Sequence, residues 1–239
     1  MFYFDTFLGK KVLRSDFLSD INAFFTTRDW ENDIYENFEA LNDEPCDYLK
    51  KLGINSVISP IQTHSDNIEI VDENFDYPNT DGLILKRNDV AINLKFADCT
   101  PLIIYDKKNN IVAISHAGWR GTAQKIGVKT VEKMQNSFET SINDIIVVIG
   151  PAISLCCYEV SEDVKNQLLS TVKNQEGLYK NNNVDLKSIN ARQFEEIGIT
   201  QIDICPYCTS CNNDLFYSYR KENGTTNRHR AVAFLQPIQ

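Results

Sequence analysis

Histidine is scarce in this chain: His64, His116 and His229 are the only three among 239 residues. So few imidazoles exclude a multicopper oxidase centre, whose several copper ions need many such ligands. No run of eighteen or more apolar residues occurs, so no segment reads as a membrane-spanning helix. Positive charge is also short, with 24 Lys and Arg against 33 Asp and Glu for a net charge of −9. That balance removes the broad basic footprint that nucleic-acid phosphates require, and leaves room only for a local basic pocket. The segment Met1 to Lys11 contains Asp5 and lacks the charged-then-apolar layout of an export signal. Seven cysteines are an odd number in a chain far longer than disulfide-stapled scaffolds. Together these features imply a cytoplasmic protein whose thiols serve as metal ligands, nucleophiles or core residues.

What is present is an ordinary globular composition, 42% hydrophobic and 24% charged, which suits one domain spanning residues 1–239. Ser15 to Gly53 reads mainly as helix, with one apolar face in DYLKKLG and Gly53 as its stop. From Ser56 the pattern turns to short β-rich runs, SVISPIQT, NIEIVDE, GLIL, VAINLKFA, PLIIYD and NIVAISHA, separated by turn residues. The Gly-rich turn AGWRGT then leads into an amphipathic run, AQKIGVKTVEKMQNSF. IIVVIG reads as a fully apolar buried strand, and helices are expected from Ser161 and over DLKSINARQFEEIGI, with a surface loop around Asn174 to Asn183. IDICPYC, DLFYSYRKE and RHRAVAFLQ read as closing strands, with a hairpin at Glu222 to Thr226. Hairpin-like strands mixed with helices predict a layered α/β fold with mixed sheets rather than a parallel βαβ series.

Three β-rich segments end on a soft-metal donor: His64 in IQTHSDN, Cys99 in FADCTP and His116 in AISHAGWRG. Two imidazoles and a thiolate suit zinc and leave its fourth position open, which is the catalytic pattern. The structural alternative is a turn histidine, a small buried thiol and a strand-end hydrogen bonder. Gln62, Asp98 and Arg120 stand within a few positions of these candidates and supply amide, carboxylate and guanidinium groups for a polar pocket. Asp98 serves equally well as a turn cap before Thr100 and Pro101. Arg120, in a turn entering a helix, is placed to share an anion such as phosphate with free N–H groups, or to pair with a surface carboxylate. Cys205, Cys208 and Cys211 resemble part of a zinc or iron–sulfur ligand run without a fourth neighbour, and Cys156-Cys157 reads as a buried pair.

The motifs QTHSD, DGLIL, ADCTPLIIYD, SHAGWRGT, CCYEV and LFYSYRKENGTTNRH, in that order from about Ser56 to the C-terminus, resemble the YfiH or laccase-domain family. The resemblance implies a mixed-sheet α-β sandwich related to the catalytic domain of cytotoxic necrotizing factors. It also implies a metal set falling on His64, Cys99 and His116, holding zinc, with copper an alternative at the same site. The implied activity is phosphorolysis of adenosine, inosine and S-methyl-5'-thioadenosine, with adenosine deamination, so that purine nucleosides and phosphate are the partners. Other family roles are peptidoglycan-precursor editing, for which Cys99 and His116 would form an amidase-type nucleophile and base, and polyphenol oxidation. A non-catalytic metal-binding scaffold is the remaining reading. The chain departs from the family's Gly-Arg-Met near the end, where it has Asn227-Arg228-His229.

Overall fold

The computed structural model describes residues 1–30 and 46–235. Its strands are β1 (Phe2–Phe7), β2 (Lys10–Ser15), β3 (Asn22–Thr26), β4 (Ser56–Ile58), β5 (Ile68–Ile70), β6 (Gly82–Leu85), β7 (Val90–Phe96), β8 (Thr100–Asp106), β9 (Ile111–Ala117), β10 (Ile145–Ile149), β11 (Tyr179–Lys180), β12 (Asn183–Val184), β13 (Gln201–Ile204) and β14 (His229–Phe234). The helices are α1 (Asp47–Lys51), α2 (Trp119–Ala123), α3 (Ile126–Phe138), α4 (Glu162–Leu169) and α5 (Leu186–Glu196). Twelve strands form two six-stranded mixed sheets, ordered β1-β2-β3-β14-β7-β4 and β13-β10-β8-β9-β6-β5, and β11 and β12 form a small separate ribbon.

The period of two along each strand explains the layering. In β8, Ile103 and Tyr105 face the core between the sheets, where they meet Phe25, Ile92, Leu94 and Ala231 of the first sheet. Leu102 and Ile104 face the other way, onto Ile126, Val131 and Met134 of α3 and Phe194 of α5. Because the second sheet is covered on both faces, its central strands carry unbroken apolar runs such as IIVVI rather than an alternation. The outer face of the first sheet packs Val12, Phe24 and Phe234 against Trp30 and Leu49. The result is the layered mixed α/β fold expected from the sequence.

Two local expectations are corrected. The described part of Ser15 to Gly53 is not mainly helix: Asp16–Leu18 and Arg28–Trp30 are short 3-10 turns, β3 runs through NAFFT and only α1 is α-helical, while 31–45 lie outside the described residues. In NAFFT, Ala23 and Phe25 turn inward and Phe24 turns outward, so two-sided burial between β2 and β14 decides the conformation. The DLFYSYRKE segment forms successive turns instead of a strand, and Glu222 to Thr226 is therefore not a hairpin. Its apolar residues Phe216 and Tyr217 are buried singly, and its backbone turns on itself, with Phe216 and Leu215 N–H both donating to the Asn212 carbonyl. Among the described residues no helix is long and apolar enough to cross a membrane.

Candidate functional site

β8 and β9 pair antiparallel with Thr100 opposite Ala117 and Pro101 opposite His116, so Cys99 and His116 arrive at the same end of one ladder. His64 reaches the same place from the loop between β4 and β5. The donor atoms of His64, Cys99 and His116 all lie within 4.8 Å of one another, and the two imidazole centroids are 4.8 Å apart. His64 and Asp98 both hold positive φ, +61° and +83°, a conformation that costs a side-chain-bearing residue about 1–3 kcal/mol and is retained where surrounding bonds impose it.

For His64 those bonds come largely from Asp81, a fully buried carboxylate at the start of the DGLIL segment. It accepts the backbone N–H groups of Thr63, His64 and Ser65 at 3.1, 3.1 and 2.7 Å and the Ser65 hydroxyl at 2.8 Å. Its Oδ1 also lies 2.7 Å from His116 Nδ1. One carboxylate thus shapes the His64 loop and fixes the His116 ring, leaving Nε2 as the nitrogen available to the cluster. Burial by itself would raise the Asp81 carboxyl, but the bonds from His116, Ser65 and Thr63 bring it down to about 2. Burial would likewise raise the Cys99 thiol, yet the His116 and His64 imidazoles beside it bring it down to about 6. For His116, burial opposes the charged form, and the Cys99 sulfur and Asp81 carboxylate outweigh it and raise the ring to about 9. Without a metal the trio is a thiolate–imidazolium pair backed by a carboxylate.

The glycines of AGWRGT serve close approach here. A Cβ at Gly118 would sit 3.0 Å from Cys99 Sγ and 3.2 Å from His64 Cδ2, and one at Gly121 would sit 3.0 Å from the His116 carbonyl. Gly118→Ala is expected to leave the fold intact while weakening whatever the His64–Cys99 pair binds. Unchanged metal affinity and turnover in that variant would show that the cluster does not need this clearance.

The cluster forms part of the floor of a cleft of about 660 Å³, within the range of small-molecule sites. Gln62, Lys95, Asp98, Tyr158, Tyr219, Arg220 and Arg228 are among its other lining residues. Gln62 lines it but has committed its amide: Nε2 donates to the Lys95 carbonyl at 3.0 Å and Oε1 accepts the Lys95 N–H at 2.7 Å. The side chain continues the pairing of β7 beyond the end of β4. Asp98 accepts the Thr209 hydroxyl at 2.6 Å and the Arg220 N–H at 2.7 Å, which makes it the clasp of two distant loops rather than the cap of its own turn. Arg120 is exposed on α2, with its guanidinium 4.3 Å from the Trp119 ring, and is not among the cleft-lining residues.

The sequence reading missed the cations that do line the cleft. Arg220 donates to the Cys157 and Glu159 carbonyls at 3.4 and 2.9 Å, and Arg228 to the Thr225 and Asn227 carbonyls at 2.7 and 2.8 Å. Lys95 carried the one legible signal, a lysine inside the apolar strand VAINLKF. Burial, with Cys99 next in weight, pushes the Tyr158 phenol well above its ordinary value, so its Oη remains a proton donor at neutral pH. His229, third of the histidines, lies apart, fully buried in β14 with Phe96 on one side and Phe216 on the other.

Residues 10–236 match the model of a family described as multi-copper polyphenol oxidoreductase laccase. A purine nucleoside phosphorylase of Clostridium acetobutylicum is 31% identical over 229 residues, covering 92% of this chain and 95% of its own. Another purine nucleoside phosphorylase, from Bacteroides thetaiotaomicron, is 31% identical over 251 residues, with 90% of each chain covered. The crystal structure of YlmD from Geobacillus stearothermophilus superposes with a TM-score of 0.82 at 26% identity, covering 98% of this chain and 99% of that one. A Bacillus licheniformis protein, YfiH, gives 0.80 at 28% identity over the same shares.

Proposed function

The chain belongs to the multi-copper polyphenol oxidoreductase laccase family, and from that premise we propose that it is a purine nucleoside phosphorylase. The proposal covers cleavage of adenosine, inosine and S-methyl-5'-thioadenosine by phosphate, with adenosine deamination at the same site. The observation that carries it is the cleft itself, in which a two-histidine, one-cysteine cluster stands beside Lys95, Arg220 and Arg228. Relatives at 31% identity that span nearly the whole chain are named for this activity.

The donor set fits a single soft divalent metal. The Asp81 carboxylate on Nδ1 of His116 is the outer support that metal-bound imidazoles usually have, and a thiol at about 6 is ready as thiolate. His64, Cys99 and His116 would hold zinc, with copper as the alternative. Such an ion would supply Lewis-acid charge to a bound oxygen or purine nitrogen.

The chain's own residues account for the rest. In phosphorolysis a phosphate oxygen bonds to the anomeric carbon as the bond to the base nitrogen breaks, and the base leaves with that electron pair and takes up a proton. Arg220 and Lys95 orient the phosphate and balance its charge. The Tyr158 Oη proton is held in the cleft for the departing base. Pro60, Ile61 and Tyr219, which line the cleft, offer apolar faces to a planar purine. The phosphate role expected of Arg120 passes to Arg220, because Arg120 lies outside the lining.

Incubation with adenosine and phosphate tests the reading directly. Adenine with ribose 1-phosphate supports phosphorolysis and inosine reports deamination, whereas cleavage that proceeds equally without phosphate overturns the phosphorylase assignment. Arg220→Ala is expected to raise the phosphate KM about 10-fold or more, the cost of a charge-assisted hydrogen bond, with little change in nucleoside KM. The clasp to Asp98 uses the Arg220 backbone and survives that substitution. Arg120→Ala is expected to leave both constants near wild type; the reverse pattern would return the phosphate to Arg120.

A second reading is favoured by the Asp81–His116–Cys99 alignment, which also suits a nucleophilic thiol with an oriented base in an amidase acting on peptidoglycan precursors. Metal stripping separates the two. Activity restored by zinc supports the phosphorylase, and a metal-free enzyme whose Cys99 alkylation is blocked by an amide substrate supports the amidase.

A further inference from the structure

β10 and β13 are parallel neighbours in the second sheet, so the loops that leave their C-terminal ends emerge side by side. The first loop carries Cys156 and Cys157 and the second carries Cys208 and Cys211. Ala152 and Cys208 continue the pairing as an isolated parallel bridge, with the Thr209 N–H donating to the Ala152 carbonyl at 3.1 Å. A turn closed by the Cys157 and Tyr158 N–H groups on the Ser154 carbonyl then carries Cys156 and Cys157 round to Cys211. Cys211 Sγ lies 3.5 Å from both Cys156 Sγ and Cys157 Sγ, and all four sulfurs lie within 4.8 Å of one another.

We propose that Cys156, Cys157, Cys208 and Cys211 form a second, structural zinc site, distinct from the His64–Cys99–His116 cluster. Tetrahedral zinc at about 2.3 Å from each thiolate sets sulfurs roughly 3.8 Å apart, close to the observed spacing. Cys208 already has the surroundings of a metal-bound thiolate. The Ser154 N–H donates to its Sγ at 3.4 Å, and the backbone N–H groups of Cys211 and Ser210 are directed at the same sulfur. These donors, with the Arg220 guanidinium on the Cys157 carbonyl, offset the excess negative charge of four thiolates around a divalent ion. On binding, each thiol releases its proton to solvent and gives a sulfur lone pair to the metal. Four protein ligands close the coordination sphere, so the site binds no substrate.

Its role follows from what the two loops carry. The first bears Tyr158 and the second bears Thr209, whose hydroxyl anchors Asp98, so the zinc fastens one wall of the cleft to the sheet. The Cys205-Cys208-Cys211 run lacked a fourth ligand in sequence because two come from a loop some fifty residues earlier. Cys205 itself faces the core between the sheets, 1% exposed, where burial pushes its thiol up to about 12. Cys156 is exposed and Cys157 half-buried, which corrects the expectation of a buried pair.

The test measures metal in full-length protein purified under reducing conditions with zinc present. The His64→Ala/Cys99→Ala variant is expected to retain one tightly held zinc per chain. Replacing it by cobalt should give the intense thiolate-to-metal absorption of a tetrahedral four-sulfur site. Adding Cys208→Ser and Cys211→Ser should remove that zinc and its spectrum. A His64→Ala/Cys99→Ala protein free of zinc overturns the proposal, as does one holding iron with sulfide or one whose denatured mass is two hydrogens short through a disulfide. None of these readouts depends on turnover, so failure of the second site and failure of the phosphorylase reading are separately visible.

Discussion

Cys99→Ala and His116→Ala are each expected to abolish turnover, and Asp81→Asn to lower it about 10–100-fold, all without loss of the folded state. The first two remove donors from a cluster whose three ligand atoms lie within 4.8 Å, and the protein has no other histidine near enough to substitute. Folding should survive because Cys99 and His116 sit at the ends of β8 and β9, where Cys99 only flanks the core and neither side chain is one of its large apolar members. Asp81 is a positioning residue. With its single oxygen in place of Oδ2, asparagine still accepts the Thr63 and Ser65 N–H groups, but its NH2 replaces the Oδ1 that faces the His64 N–H and His116 Nδ1. His116 so loses its charged partner, and loss of such outer support commonly costs this factor in metal affinity or activity. Metal affinity should therefore fall with turnover in Asp81→Asn, whereas a merely structural carboxylate would change the melting temperature and leave affinity alone. Turnover in Cys99→Ala within a few-fold of wild type would remove the cluster from the chemistry.

The three donors were legible because each closes a short β-rich run, and an imidazole or thiol at such a point lies where a sheet gathers its strand ends. Asp81 was not, since a carboxylate between turn residues and a strand reads as an ordinary cap until its five bonds are seen. Arg220 and Arg228 were hidden for a different reason. They stand more than a hundred residues from the ligands, on turns whose course is set by Asp98 and Thr209 rather than by local propensity. The fold followed the same division. Strands of the twice-covered sheet announced themselves as apolar runs, and α3 and α5 by their periodicity. NAFFT, short and aromatic between polar neighbours, became a strand only through β2 and β14 beside it. The four-cysteine cluster required knowledge that β10 and β13 are adjacent, which no spacing within either loop contains.

His229 is expected to make the protein acid-labile, and His229→Met to relieve that lability. The ring is fully buried between Phe96 at 6.3 Å and Phe216 at 5.4 Å, and its nitrogens make no well-formed hydrogen bond, the Pro151 carbonyl offering only a weak contact. Burial therefore dominates and holds the imidazole neutral, with its titration lowered to about 3; the Pro151 carbonyl opposes this weakly and the Arg228 and Arg28 charges reinforce it. In the unfolded chain the same ring titrates near 6.5. Between those two values the unfolded state binds a proton that the folded state refuses. Its contribution to stability is thus fully present above about pH 6.5 and is lost as pH falls toward 3, at up to about 1.4 kcal/mol for each pH unit. In the metal-free protein His116, raised to about 9, contributes in the opposite sense: its share is fully present below about pH 6.5 and declines only as pH rises through 9. The acid limb consequently separates the two histidines. Methionine is what the family resemblance offers at this position, and it fills an apolar slot between two aromatic rings with no proton to gain. Denaturant unfolding of wild type and His229→Met at pH 7 and pH 5 is expected to give similar stability at the higher value and a clear advantage to the variant at the lower. Equal losses in both proteins between pH 7 and pH 5 would show that His229 finds a partner in solution and carries its charge inside the fold.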